Sequence, residues 1–469
     1  MVSVDQNEHE TYRVIVIDRS GAQVLLVPNG QHHSLPWVEL PRWQRVAENL
    51  TVAVRSEWGE EIVALFELPV KNDGPRYLAA EHLCTRCDSK MPTRWLSVSA
   101  SGHNSLIDVR DTEAIEQALA ICKGKIDQTP AGPFARLGWF FDLRNWMDSV
   151  IKPMGFHLTG EFRQLNASPT FSLIRFETDG PVLWFKAVGE PNQRELGVTC
   201  RLARLFPRHV PSVFATRAEW NGWITREAEG EVLCDCRGYT PWQRVAFDLA
   251  ALQIDSREQA QDILEAGARD LTLGSLSEQI QPLADAAEQI MCRQIKTPPP
   301  ILGHEQLLLL ADRIRAAIDF LEPLAIPDAL GHLDFNPGNA IVSASGCTFL
   351  DWAEAYIGNP FLTFQYLLEH FRRTGGKDSS KQSELTDTYV APWLRMLSRE
   401  RIDAALAVAP LLALFSYATA TGMLTDKQRL EDAQFAGYAR SLLRRMDREA
   451  RDWADRGGRC NTQVTVSRP

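Results

Sequence analysis

The sequence predicts an α+β protein whose first part is rich in strands and whose remainder is mostly helical. Three observations lead there. Alternating apolar runs, "YRVIVID" and "AQVLLVP", flank a glycine-containing turn near the start of the chain. A second pair, "FSLIRFET" and "PVLWFKAV", is joined by Asp-Gly, a strong hairpin signal. From Thr240 onward apolar residues recur at three- and four-residue steps, as in "HEQLLLLADRIRAAIDFLE", where Leu307, Leu310, Ile314, Ala317, Ile318 and Leu321 share one helical face. Strand pair, helix, strand and a long helical remainder make an α+β opening that leads into a mostly α domain.

Three regions follow in order. In the first, residues 1–130, the strands precede "RVAENLTVAVRSEWG", a helix with Val46, Leu50, Val54 and Trp58 at four-residue steps. "TPAGP" at 129–133 interrupts any periodic element and marks a boundary. The second, 131–228, opens with an aromatic-rich helix in "FARLGWFFDLRNWMDSVIKPMGF". The hairpin, the helix "NQRELGVTCRLARLF", a turn at "PRHVPS" and strands around "WITREAEG" complete it. The third, 229–460, is helical except near "HLDFNPGN", and "KTPPPILG" is a stiff connection between two of its helices. The uncharged stretch from Ala404 to Leu424 is long enough to cross a bilayer, but Pro410 and several hydroxyl residues predict two buried core helices broken near that proline.

The 469 residues are 45% hydrophobic and 23% charged, a globular profile with material for a large core. A formal net charge of −10 gives no global basic field for nucleic acid or an anionic membrane. Residues 216–345 hold 20 acidic and 10 basic side chains, a difference of −10 that equals the whole excess. Solvated helix faces explain it, or a cationic substrate. The first ten residues lack a basic start and an apolar core, and the cysteine count of nine is odd; reduced thiols in the cytoplasm are expected. Cys84 and Cys87 form one CxxC and Cys234 and Cys236 lie close together, but a zinc site would need these distant pairs to meet, so structural thiols are the expectation.

The stretch with most chemistry is "LGHLDFNPGNAIVSASGCTFLDWAEAY", residues 330–356. "HLDFNPGN" has the H-x-D-x-x-x-x-N spacing of a kinase catalytic loop. "NAIV" and "CTFLD" about "SASG" predict a small hairpin that returns Asp351 beside Asn339. An amide oxygen and a carboxylate there are hard ligands suited to magnesium. Asp334 would accept or orient the proton of an attacking hydroxyl, and His332 would brace the backbone. The bland alternative for Asp334 is a turn-forming residue ahead of Asn336, Pro337 and Gly338. Such a site also needs a lysine on an upstream strand paired with a helical glutamate. Lys186 in "PVLWFKAV" and Glu195 in "NQRELGV" answer that need, since a lysine among apolar neighbours is costly unless its charge is matched.

With that order of residues, 155–445 resembles the aminoglycoside phosphotransferase and choline kinase group, whose hallmarks are an HGDxxPxN loop and an IDW-type strand, met here as "HLDFNPGN" and "FLDWAEA". The resemblance implies a bilobal protein-kinase-like fold, with a small β-rich N-lobe at 131–228 and a mostly helical C-lobe at 229–460. It implies ATP and magnesium as cofactors and a small-molecule hydroxyl as acceptor, with oligomeric state left open. Lys186, steadied by Glu195, would hold the nucleotide's phosphates, Asn339 and Asp351 the metal, and backbone groups near Glu227 and Ala228 would meet adenine. No glycine-rich loop precedes Lys186; Asn166, Ala167 and Ser168 would cover the phosphates through backbone amides and a hydroxyl. Leu333 replaces a small residue, and Thr363 stands where many relatives place an aspartate.

The first region resembles the Nudix fold, from "VLLV", "LPWVE" and a helix ending in "RSEWGEE". Glu57 alone survives among that family's metal-binding carboxylates, which implies a Nudix-like α/β domain without hydrolase chemistry. The leading expectation is an ATP- and magnesium-dependent phosphotransferase. The alternative is a catalytically weak nucleotide-binding pseudokinase or scaffolding module, and a third reading is residual hydrolysis of a nucleoside diphosphate derivative at Glu57.

Overall fold

The computed structural model describes residues 9–29, 32–41, 45–69, 75–85, 93–97, 109–124, 132–295, 297–374, 378–422, 426 and 429–457. Cys87 and residues 129–131 of the expected boundary lie outside them. The protein is mixed α+β and divides into two compact units, Met1–Leu196 with Ser212–Glu227, and Gly197–Pro211 with Ala228–Pro469.

The first unit contains two sheets. In one, the buried strand His9–Ile17 pairs in parallel with Arg76–Thr85 and antiparallel with Gln23–Asn29 and Trp37–Pro41. The expected helix spans Val46–Trp58 and buries Ala47, Leu50, Val54 and Trp58, steps of three and four residues that turn one stripe inward, while Val46 is only half-buried. It stops at Gly59, whose φ of 67° is a left-handed conformation that glycine adopts without a Cβ penalty. The other sheet is antiparallel, in the order Val213–Arg217, Gly222–Arg226, Leu183–Ala187, Ser172–Thr178, Leu158–Ala167. The aromatic-rich helix spans Trp139–Ile151.

No break in packing separates these sheets. One apolar cluster runs from Ile15, Ile17 and Val63 through Phe134, Trp139 and Phe140 to Ile174, Phe185 and Ile224. Two buried polar side chains stitch it. The Gln164 amide donates to the Ala64 carbonyl at 2.9 Å and accepts from the Ala64 N–H at 2.8 Å, standing in for a neighbouring strand. Glu81, on Arg76–Thr85, accepts from the Gly138 N–H at 2.8 Å at the start of the helix Trp139–Ile151; burial raises its pKa. Replacing Gln164 by Leu strips partners from two buried backbone groups and is expected to lower stability by about 2–4 kcal/mol, read as a shifted urea midpoint.

The second unit is built from helices around one large core. The helix His304–Leu321 buries the whole expected face and adds Ala311. One expectation fails. Arg399–Ala420 is a single 22-residue helix that continues through Pro410. An interior proline costs about 3 kcal/mol, but ten residues of this helix are buried, and their packing on both sides of Pro410 outweighs the lost bond. Its apolar character is spent largely on that core. Short strands interrupt the helices: Ala329–His332 lies antiparallel to Ala355–Gly358, which pairs in parallel with Arg269–Leu271. The expected hairpin forms as Ala340–Val342 against Cys347–Phe349, with Glu231–Val232 on its outer edge.

Candidate active site

In the second unit the loop after Ala329–His332 is fixed by three consecutive amides. The His332 N–H donates to the Thr363 hydroxyl at 2.9 Å, the Leu333 N–H to the Glu354 carbonyl at 3.0 Å, and the Asp334 N–H to His332 Nδ1 at 3.1 Å. Because Nδ1 accepts, the proton of a neutral ring resides on Nε2, which lies 3.1 Å from the Leu350 carbonyl. His332, 1% exposed, is therefore the brace the sequence suggested, and it ties the Asp334 amide to the residue before Asp351.

Asp334 projects into solvent from this rigid base. Its Oδ1 accepts from Asn336 Nδ2 at 3.2 Å, and the Asn336 side chain in turn accepts from the Gly338 N–H at 2.8 Å. Asn336 thus orients the carboxylate as well as the turn, a role that the sequence analysis did not assign to it. Burial pushes the pKa of His370 down and that of Tyr417 up.

The hairpin brings Asn339 and Asp351 to neighbouring positions: Ala340 pairs with Phe349, and the Leu350 N–H donates to the Asn339 carbonyl at 2.9 Å. Asn339 Nδ2 donates to the Asp334 carbonyl at 2.9 Å. That bond fixes which way the amide faces, leaving its oxygen as the atom for a cation. Asp351 has φ 62° and ψ 62°, a left-handed conformation that costs a non-glycine residue about 1–2 kcal/mol. One amide oxygen and one exposed carboxylate fit magnesium, a hard ion that usually takes one or two protein oxygens and completes its shell with phosphate and water. No group of three or more His, Cys, Asp or Glu side chains among the described residues could hold a metal, and such a magnesium site needs none.

The first unit holds the lysine pair. Lys186 lies on Leu183–Ala187, opposite Leu173 and Trp223, on the half-buried face; Leu183, Phe185 and Ala187 fill the buried one. Its Nζ is 2.6 Å from Glu195 Oε1, with the two side chains 16% and 2% exposed. Glu195 opens the helix Glu195–Leu205, where the helix dipole favours a negative charge. Lys186→Met removes the lysine from a buried carboxylate and is expected to cost about 3–5 kcal/mol. The double variant Lys186→Met/Glu195→Leu should recover most of that stability, as thermal melts would read.

The remaining sequence candidates stand as follows. Ser168 closes the turn between Leu158–Ala167 and Ser172–Thr178: its hydroxyl accepts from the Phe171 N–H at 2.9 Å and the Thr170 N–H at 3.3 Å. Asn166 and Ala167 remain in strand pairing with Leu173 and Ser172. The Glu227 carboxylate is gripped by Arg175 at 2.7 and 3.1 Å and by the Trp184 indole at 3.1 Å, and the Arg175 contact lowers its pKa. The Glu227 N–H donates to the Val182 carbonyl at 2.9 Å, so that amide is already committed within the sheet. The chain passes from the first unit to the second between these two residues.

No family model and no curated protein matches the chain. Among solved structures it is similar to the macrolide 2'-phosphotransferase MphH from Brachybacterium faecium, at 17% identity and a TM-score of 0.43 over 64% of this chain and 98% of the other. It is similar to choline kinase LicA from Streptococcus pneumoniae, at 12% identity and a TM-score of 0.43 over 67% and 99%. A choline kinase from Cryptosporidium parvum is similar at 13% identity and a TM-score of 0.47 over 67% and 97%.

Proposed function

We propose that the protein is a phosphotransferase that moves the γ-phosphate of ATP, with magnesium, to a hydroxyl of a small molecule. The observation that carries this reading is the joint fixing of Asp334, Asn339 and the backbone leading into Asp351 by His332 and the hairpin. Phosphoryl transfer asks a protein for little covalent chemistry; it asks for placement and charge neutralisation. Asp334 would orient the acceptor hydroxyl and take its proton. Asn339 and Asp351 would hold magnesium, which when bound neutralises charge on the phosphates. Lys186, held by Glu195, would bind phosphate oxygens, and the Ser168 turn would lie over them.

The test is phosphate release from MgATP by wild type and by Asp334→Asn, followed by a panel of amino alcohols, sugars, nucleosides and antibiotics as acceptors. Equal turnover by the two proteins would remove the catalytic assignment and leave the nucleotide-binding pseudokinase or scaffold. The first sheet would serve as a Nudix-like scaffold for binding or packing. The glycine that ends its helix supports that reading, as does the exposed Glu57, beside which no group of three or more His, Cys, Asp or Glu side chains among the described residues could hold a metal.

A further inference from the structure

We propose that Thr363 and Tyr356 act as one unit to position Asp334, an inference that rests on the phosphotransfer reading above and deepens it. Neither side chain is part of the motif that announces the site. Thr363 lies in the first turn of the helix Phe361–Arg373, and Tyr356 on the strand Ala355–Gly358, directly across from Gly331. A Cβ on Gly331 would fall 1.9 Å from the tyrosine ring, so the glycine makes room for it.

The direction of each bond follows from counting hydrogens. The Tyr356 hydroxyl donates to the Asn359 carbonyl at 3.0 Å, which uses its only hydrogen. In the 3.0 Å contact between the two hydroxyls the hydrogen therefore comes from Thr363. A threonine oxygen that donates toward Tyr356 turns its lone pairs elsewhere, and one of them accepts the His332 N–H at 2.9 Å. Tyrosine orders threonine, and threonine holds the amide two residues before Asp334.

This arrangement is closed to solvent. Thr363 and Tyr356 are fully buried and His332 is 1% exposed, so water cannot replace a missing partner. Of the three pinned amides, that of His332 alone is held by a side chain from another element. The device is also uncharged. A hydroxyl pair satisfies the amide without the desolvation that a buried carboxylate would incur.

The experiment measures kcat and KM for MgATP turnover by the full chain as wild type, Thr363→Val, Thr363→Ser, Tyr356→Phe, the Thr363→Val/Tyr356→Phe double variant and Asp334→Asn, with a thermal melt of each. Thr363→Val should lower kcat on the order of ten- to a hundredfold with KM for ATP within about twofold, as an unmet buried amide shifts the loop. Thr363→Ser should restore most of the rate. The double variant should be no worse than Thr363→Val, because residues that act as a unit are not additive. If Thr363→Val does not fold, Tyr356→Phe decides, with a several-fold fall in kcat at constant KM expected. Wild-type kcat in Thr363→Val, or in Tyr356→Phe where that variant decides, overturns the positioning role, as does a folded Thr363→Ser as slow as the valine variant. These outcomes leave the phosphotransfer reading intact if Asp334→Asn is inactive. Wild-type turnover in Asp334→Asn sinks that reading and this inference together.

Discussion

Replacing Asp334 by Asn should cut phosphate transfer from MgATP by about a hundred- to ten-thousandfold while leaving ATP affinity and the melting temperature nearly unchanged. Asparagine has the same size, and its amide oxygen can still accept from Asn336 Nδ2, so the turn through Gly338 persists. The amide cannot take a proton from the acceptor hydroxyl. The loss therefore falls on kcat and not on KM. A matched loss of ATP affinity would show instead that Asp334 serves in nucleotide binding, and an unchanged kcat would end its catalytic role.

The second large effect separates chemistry from fold at Asp351. On the proposed site, Asp351→Gly should lose magnesium-dependent turnover by about a hundredfold or more, since one of the two protein oxygens proposed for the ion is gone. Its stability should stay within about 1 kcal/mol of wild type, because glycine relieves the left-handed strain while adding backbone entropy to the unfolded chain. Asp351→Ala should be equally inactive and less stable by about 1–2 kcal/mol, for alanine keeps a Cβ and offers no local hydrogen bond at φ 62°. Turnover by either variant with wild-type dependence on magnesium would exclude Asp351 as a ligand. Equal stabilities for the glycine and alanine variants would show that the strain argument fails.

Much of this was legible in the sequence because local signals and tertiary packing agree. The strands flanking the Asp-Gly turn, the helix through Val46–Trp58 and the hairpin between Asn339 and Asp351 each carry a period or a turn signature that burial then reinforces. The Lys186–Glu195 pair was legible for a different reason: charge in an apolar strand demands a partner, and the next helix offers one. Pro410 misled because a propensity is only a weak prior against a helix with buried residues on both sides of the proline. The strand Arg269–Leu271 has three residues, too few to display a period. The holds on His332 through Thr363 and on Ala64 through Gln164 join positions 31 and 100 residues apart, and no spacing rule reaches that far.

The continuous apolar cluster of the first unit means that the sheet at the start of the chain is no detachable passenger. The helix Trp139–Ile151 lies in the same packed body as both Ile17 and the lysine-bearing strand. Local opening follows cooperative blocks rather than sequence order. Any event that loosens the early strands, whether a cleavage, an adduct or a bound partner, has a mechanical route to the ammonium group at Lys186.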